Sequence, residues 1–163
     1  PEVADVITDN PEGIAIAPPA PPAPDRGDGP REVAPSVDMS MTQMSHQEHG
    51  DVLPLTTEVM HWFRDHYLGE TPDRHVADWR ASPLSASLKG LPPAWVVTAG
   101  YDVLVDEGID YVDRLQSAGV ACEHTHYPGQ IHGFITMGRL IPEANAAVEE
   151  AAAALKGAIG NRE

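Results

Sequence analysis

Hydrophobic and polar positions follow their clearest pattern in the last seventy residues of the chain. The apolar, β-branched run AWVVTAG at 94–100 predicts a buried strand. A helical repeat predicts a helix over 106–119, a more polar run predicts a second strand over 120–127, and residues 141–160 predict a second helix. This order predicts a βαβα unit with two parallel strands and a right-handed crossover. The polar second strand is expected at a sheet edge, because interior parallel strands are apolar throughout.

Individual residues define the ends and faces of these helices. The first helix is expected to begin at Asp106 as its N-cap and to end at Gly119. Pro142 suits the first turn of the second helix. Apolar side chains at helical spacing predict the buried face of each helix. These are Ile109, Val112 and Leu115 in the first, and Val148, Ala152, Leu155 and Ile159 in the second.

The run LTTEVMHWFRDHYLG, further upstream, predicts an amphipathic helix. Thr56 or Thr57 can cap its start, and Gly69 is expected to end it. The side chains predicted to share one face are those of Met60, Phe63 and Tyr67.

Composition divides the chain near residue 35. Nine of the sixteen prolines lie in residues 1–35, which include the stretch APPAPPAPDRGDGP. Proline at this density prevents regular helix and sheet hydrogen bonding, so this segment is predicted to be irregular. A flexible tail is the expected role, and a Pro-rich binding segment is the alternative.

The charge balance excludes several kinds of partner. Ten basic residues oppose twenty-five acidic residues, and the formal net charge is −15. An acidic chain is unsuited to nucleic acid and to anionic membranes. Its single cysteine, Cys122, allows no intramolecular disulfide. Neither an apolar run of eighteen residues nor a signal sequence is visible, so no membrane span is predicted and a cytoplasmic location is favoured.

Two residues with catalytic chemistry follow the two predicted strands. Asp102 lies just past the first strand and His132 lies in the loop after the second. Parallel strands end at the same edge of a sheet, which is where open α/β sheets bind ligands. A carboxylate beside an imidazole can orient it as a general base. The alternative is that Asp102 caps a turn and His132 packs in its loop.

The stretch LPPAWVVTAGYDVLVDEGIDYVDRLQSAGVACEHTHYPGQIHGF resembles the C-terminal region of the hormone-sensitive-lipase family of α/β-hydrolases, which are carboxylesterases and lipases. The family carries an LPPA lead-in, a YDPLRDEG-like acid motif and a YPGxIHGF-like histidine motif. Val103 stands where proline is usual. The resemblance covers about residues 34–160. It implies Asp102 as the acid, His132 as the base, a small-molecule carboxylic ester as substrate, and neither metal nor organic cofactor.

The resemblance implies an α/β fold that forms the C-terminal part of an α/β-hydrolase. Three segments are predicted: a Pro-rich irregular segment at 1–35, a cap-like helical region at 36–92, and a C-terminal α/β-hydrolase core portion at 93–163. A homo-oligomer is compatible with this organisation.

The family's Gly-x-Ser-x-Gly elbow and His-Gly-Gly oxyanion motif are absent from the sequence. None of the serines has glycines at the elbow spacing: Ser36, Ser40, Ser45, Ser82, Ser85, Ser87 and Ser117. The resemblance implies a carboxylic ester hydrolase of the serine-His-Asp type, of which this chain carries the acid and base but no evident nucleophile elbow. The alternative is a catalytically inactive α/β-hydrolase fragment or an interaction protein.

Two histidine pairs could hold Zn²⁺ or Ni²⁺. His46 and His49 could share a helix face, and His124 and His126 would lie on one side of a strand. No third ligand has a suitable spacing, so solvated polar histidines are the expected interpretation.

Other candidate residues have structural alternatives. Cys122 is expected to pack rather than to act as a nucleophile. Glu107 could be a second acid, but carboxylates at a helix start more often interact with the helix dipole. The side chains of Trp62, Phe63 and Tyr67 could line an acyl pocket or belong to the core.

Overall fold

The computed structural model describes residues 31–33, 35–69 and 71–160. The prediction that residues 1 to about 30 are irregular lies outside this part of the chain. Within the described residues, three strands form one sheet: β1 (Arg31–Val33), β2 (Ala94–Tyr101) and β3 (Cys122–Ile131). The same part of the chain contains four α-helices: α1 (Ser45–Glu48), α2 (Thr57–Leu68), α3 (Val105–Ser117) and α4 (Pro142–Gly160).

The sheet has the order β1-β2-β3, and both neighbouring pairs are parallel. The predicted parallel pairing and the edge position of the polar strand are therefore confirmed. Strand β2 is buried from Ala94 to Ala99 because it lies between two neighbours and two helices. Strand β1 falls inside the segment predicted to be irregular; it pairs with β2 after the last proline of the dense stretch.

Strand β3 is longer than predicted. The pattern placed its end at Pro128, but pairing with β2 resumes beyond it, where Tyr101 lies opposite Ile131. The register is irregular between Ala99 and Tyr101. An edge strand accommodates proline because one side of its backbone needs no hydrogen-bond partner in the sheet. The extension carries the chain to the residue directly before His132.

Helix α2 begins and ends as predicted but buries a different face. The hydroxyl oxygen of Thr56 accepts a hydrogen bond from the Val59 N–H, and Gly69 ends the helix with φ of 76°. Met60 is buried, but Phe63 is 53% exposed and Tyr67 is 42% exposed. The predicted three-residue face is therefore wrong beyond Met60.

Helix α3 begins one residue earlier than predicted, at Val105, and its N-cap is Leu104. Asp106 lies within the first turn, so its assignment as the N-cap is wrong. Val112 and Leu115 are buried as predicted, and Tyr111 is buried with them. The predicted Ile109 is 37% exposed.

Helix α4 packs through alanines rather than through the predicted larger side chains. Ala144 and Ala147 are fully buried against a cluster that includes Trp95 and Phe134, whereas Val148 is 50% exposed. Small side chains allow the helix to approach the bulky residues of the sheet closely, and this selects the alanine face.

The two faces of β2 support separate parts of the core. Val96 packs with Val112 and Leu115 of α3, while Trp95 and Val97 pack on the opposite side with the α4 cluster. This layered α/β arrangement is the predicted fold class. Within the described residues, none of the helices has the length and apolar character needed to cross a membrane.

Candidate functional site

The acid and the base predicted from sequence lie together at the carboxyl ends of β2 and β3. Asp102 directly follows β2 and His132 directly follows β3. Atom Oδ2 of Asp102 lies 2.8 Å from Nδ1 of His132. This distance is within the ordinary hydrogen-bond range. Thirty residues separate the two in sequence, so the parallel pairing of the strands creates the contact.

The Asp102 carboxylate is buried and held from two sides. Its exposed fraction is 2%. Oδ1 accepts a hydrogen bond from the Leu104 N–H at 3.0 Å, while Oδ2 faces His132. The backbone oxygen of Asp102 accepts from the Val105 N–H at 3.1 Å, which closes a tight turn into α3. Because both carboxylate oxygens are engaged, the side chain has a defined orientation.

The His132 ring lies at the surface end of the pair, with 30% of its side chain exposed. Gly133, which follows it, has φ of 71°, a left-handed conformation that glycine adopts without a steric penalty. The chain then buries Phe134 in the core beneath the loop. Among the described residues, Asp102 is the partner of the ring, and Nε2 makes no hydrogen bond.

This arrangement is suited to proton transfer. A carboxylate at Nδ1 favours the tautomer with its proton on Nδ1, and the lone pair of Nε2 is then free to take a proton from a nucleophile. The carboxylate also stabilises the imidazolium that results. Asp102 and His132 can therefore function as an orienting acid and a general base.

The aromatic residues considered for an acyl pocket lie on the exposed side of α2. Trp62 is 56% exposed and Phe63 is 53% exposed, and their rings meet edge to face with centroids 5.2 Å apart. The core interpretation is therefore wrong for these side chains, and the acyl-pocket interpretation stays a prediction.

Next to Asp102 in the chain, the half-exposed Tyr101 ring meets the His49 ring edge to face, with ring centroids 5.9 Å apart.

The histidine pairs considered as metal ligands have other partners. His46 is buried beside Glu107, with Nε2 and Oε2 3.8 Å apart. His124 Nε2 and His126 Nδ1 lie 2.9 Å and 2.8 Å from the same Thr98 hydroxyl. Burial and the neighbouring His126 lower the pKa of His124. The described part of the chain contains no group of three or more side chains placed to hold a metal ion.

Glu107 fits neither interpretation made from sequence. It is fully buried, and its Oε1 accepts a hydrogen bond from the Val37 N–H at 2.7 Å. Burial raises the pKa of this carboxyl. Glu107 therefore connects α3 to the segment that follows β1. Two adjacent carboxylates at the helix start gave no signal that one of them would be enclosed.

Cys122 packs against the core cluster on the α3 side of the sheet. Burial raises the pKa of its thiol, and a raised pKa reduces the thiolate fraction that a nucleophile needs. The packing interpretation of this residue is therefore supported.

A cavity of about 400 Å³ lies away from the Asp102–His132 pair. Its lining includes Asp38, Asp110 and Arg114 but neither Asp102 nor His132.

Comparison with known proteins assigns the chain to a family. The sequence profile of the alpha/beta hydrolase fold matches residues 30–136. The chain is 33% identical over 117 residues to carboxylesterase NlhH of Mycobacterium tuberculosis, covering 71% of this chain and 37% of that protein. It is 35% identical over 114 residues to an ethyl acetate hydrolase of Pseudomonas putida, covering 69% of this chain and 35% of that protein.

A solved structure supports the same relationship. The chain superimposes with a TM-score of 0.74 on EstE1, a thermostable carboxylesterase cloned from a metagenomic library, at 35% identity. The match covers 78% of this chain and 44% of that one, so the chain spans less than half the length of the relatives described here. The profile covers more than half of the chain, and the fold and the sequence motifs agree. The chain belongs to the α/β-hydrolase family, in its hormone-sensitive-lipase-like branch.

Proposed function

We propose that this chain carries the acid and the base of a carboxylic ester hydrolase of the serine-His-Asp type. The observation that carries the proposal is the 2.8 Å contact between Asp102 and His132 at the carboxyl ends of two parallel strands. The names of the relatives, carboxylesterase and ethyl acetate hydrolase, support a small carboxylic ester as the substrate.

In the proposed reaction, Nε2 of His132 takes the proton of a serine hydroxyl as the serine oxygen attacks the ester carbonyl carbon. The protonated ring then gives this proton to the leaving alkoxide, and an acyl-enzyme results. Water then attacks the acyl carbon as the same ring takes its proton. The bond from that carbon to the serine oxygen breaks, the ring returns the proton to the serine oxygen, and the carboxylic acid leaves. Asp102 remains ionised throughout, holds the Nδ1 proton and stabilises the imidazolium.

The chain carries no evident serine nucleophile for this reaction. Every serine of the sequence lies within the described residues, none hydrogen bonds to the His132 ring, and none lies in a Gly-x-Ser-x-Gly motif. We therefore expect the chain alone to hydrolyse a chromogenic short-chain ester at a rate close to that of buffer. Robust turnover that is blocked by a serine-directed phosphonate would contradict this expectation.

A chimera tests the acid and base directly. Residues 31–160 would replace the corresponding C-terminal part of a family relative that carries the nucleophile elbow. We expect the chimera to hydrolyse short-chain esters, and His132→Ala and Asp102→Asn each to lower kcat/KM by about 10⁴-fold or more. Matched controls are His75→Ala, in a loop, and Asp110→Asn, on the exposed side of α3, and both should retain activity.

The missing elbow favours a second candidate, an inactive α/β-hydrolase fragment or an interaction protein. The same chimera separates the two candidates. A folded chimera that loses activity equally in the His132 variant and in the His75 control, or that is inactive from the start, would support the second candidate. Loss confined to the Asp102 and His132 variants supports the proposed hydrolase.

A further inference from the structure

A buried serine outside the proposed catalytic pair contacts the turn that carries Asp102. Ser45, the first residue of α1, is 1% exposed. Its hydroxyl donates a hydrogen bond to the Val103 carbonyl oxygen at 2.6 Å. Its backbone N–H donates to Oδ2 of Asp106 at 2.8 Å. One residue therefore connects to two positions in residues 102–106, which join the end of β2 to the first turn of α3 and which we call the acid loop.

The two hydrogen bonds of Ser45 reach residues on either side of Leu104, whose backbone N–H orients the Asp102 carboxylate. The Leu104 N–H donates to Oδ1 of Asp102, and Leu104 stands between Val103 and Asp106 in the chain. A shift of Val103 or Asp106 would therefore move the Leu104 N–H and with it the carboxylate. Val103 and Leu104 are buried against Met60, so their side chains limit the same motion.

Helix α1 is itself held in place, and so can act as a fixed support. The hydroxyl of Thr57 donates to the His46 carbonyl oxygen at 2.6 Å. The His46 ring is buried against the fully buried Glu107 of α3. Glu107 in turn accepts the Val37 N–H at 2.7 Å. Contacts from α2 and α3 therefore hold the short helix that carries Ser45, and the segment after β1 in turn holds Glu107.

We propose that Ser45 is a positioning residue for the acid–base pair: through Val103 and Asp106 it holds the acid loop so that Asp102 faces His132. This inference rests on the proposed function and deepens it. Both of these Ser45 hydrogen bonds go to the acid loop, and neither goes to His132. Its effect passes through the backbone of the acid loop.

Removing the hydroxyl has a definite consequence. In Ser45→Ala the buried Val103 carbonyl loses its partner, and a buried polar group without a partner is strongly unfavourable. The acid loop should relax to recover a hydrogen bond, and the orientation of Asp102 should become less well defined. The contact between Asp102 and His132 should then open more often.

The chain contains a matched control, Ser82. It is also 1% exposed, and its hydroxyl accepts from the Met39 N–H at 2.9 Å and donates to the Val76 carbonyl oxygen. Ser82→Ala therefore removes a buried serine hydroxyl with two partners that lie outside the acid loop. A purely structural role for both serines predicts the same result in both variants.

The experiment is nuclear magnetic resonance spectroscopy of the complete chain with ¹⁵N-labelled histidine. It follows the low-field Nδ1 proton of His132 and the ring nitrogen shifts that report the tautomer, with assignment by the His132→Gln variant. We expect Ser45→Ala to speed exchange of this proton with water by about tenfold, equivalent to one net hydrogen bond. We expect Ser82→Ala to leave it unchanged, with both variants folded by circular dichroism.

Unchanged exchange in Ser45→Ala, or equal acceleration in both variants, would overturn the positioning role alone. Absence of the Nδ1 signal from the unaltered folded chain would overturn the acid–base pair as well, so the two failures are distinguishable. If Ser45→Ala does not fold, Asp106→Ala decides, because Asp106 is partly exposed and accepts the Ser45 N–H. Faster exchange than in the exposed control Asp110→Ala supports the proposal, and equal exchange refutes it.

Discussion

The irregular pairing between β2 and β3 predicts that Gly100→Ala will disturb the proposed site without changing any group in it. Between the pairs Ala99–Tyr127 and Tyr101–Ile131, only Gly100 faces the segment 128–130. A Cβ atom at Gly100 would lie 2.2 Å from the Pro128 carbonyl oxygen and 2.7 Å from its carbonyl carbon. Ordinary van der Waals contact begins near 3.4 Å, so the two backbones must separate by about 1.2 Å.

That separation would occur two residues before Asp102 and four residues before His132. Overpacking of this kind typically costs about 1–3 kcal/mol of unfolding free energy. A displacement of about 1 Å is also enough to open a 2.8 Å hydrogen bond, and it can reduce a catalytic rate by about 10²-fold. We therefore expect Gly100→Ala to lower stability in urea and to reduce ester turnover in the chimera.

Gly129→Ala is the matched control on the neighbouring strand. A Cβ atom there would meet nothing within 4 Å, and the backbone of Gly129 does not have a positive φ. Its unfolding free energy should remain within about 0.5 kcal/mol of the unaltered chain. If Gly100→Ala matches this control in both stability and turnover, the close approach of the two strands does not constrain the site and the reasoning fails.

Two further predictions concern the supporting structure. Because burial raises the folded pKa of Glu107, its stabilising contribution is present below the unfolded pKa and lost as pH rises through the folded value. Thermal unfolding measured between the unfolded and the folded pKa of Glu107 should show this loss of stability in the unaltered chain and not in Glu107→Gln. Parallel plots of stability against pH for the two proteins would contradict the prediction. Leu115→Ala, at a fully buried core position, should cost about 2–5 kcal/mol in urea unfolding, against less than about 1 kcal/mol for the half-exposed Val148→Ala.

The order of the C-terminal elements could be predicted from sequence because local patterns determine it. An apolar run and a helical repeat each extend over neighbouring residues, and the right-handed parallel crossover follows from chain chirality. The shared edge of Asp102 and His132 needs only the direction of two strands. The position of the pair was therefore predictable, although its catalytic role remains a proposal.

The buried faces of the helices could not be predicted in the same way. Phe63 and Tyr67 follow an apolar repeat, yet their side chains are 53% and 42% exposed. Val148 is likewise exposed, whereas the smaller Ala147 is buried, since the sheet surface under α4 already carries Trp95. Size and position of the partner surface decide which face is covered, and these depend on residues far away in sequence.

Only the tertiary structure revealed the support beneath the acid loop. Glu107 lies in an acidic helix start that is typical of solvated carboxylates, and Ser45 lies in a polar stretch without a regular pattern. Burial of both results from contacts across 58 to 70 residues of sequence, to Val103 and to Val37. Local sequence determined the order of the C-terminal elements and the shared sheet edge of Asp102 and His132. Long-range packing determined which polar groups are buried and support the proposed site. The physical reason is that a hydrogen bond is stronger where the packing around it excludes water.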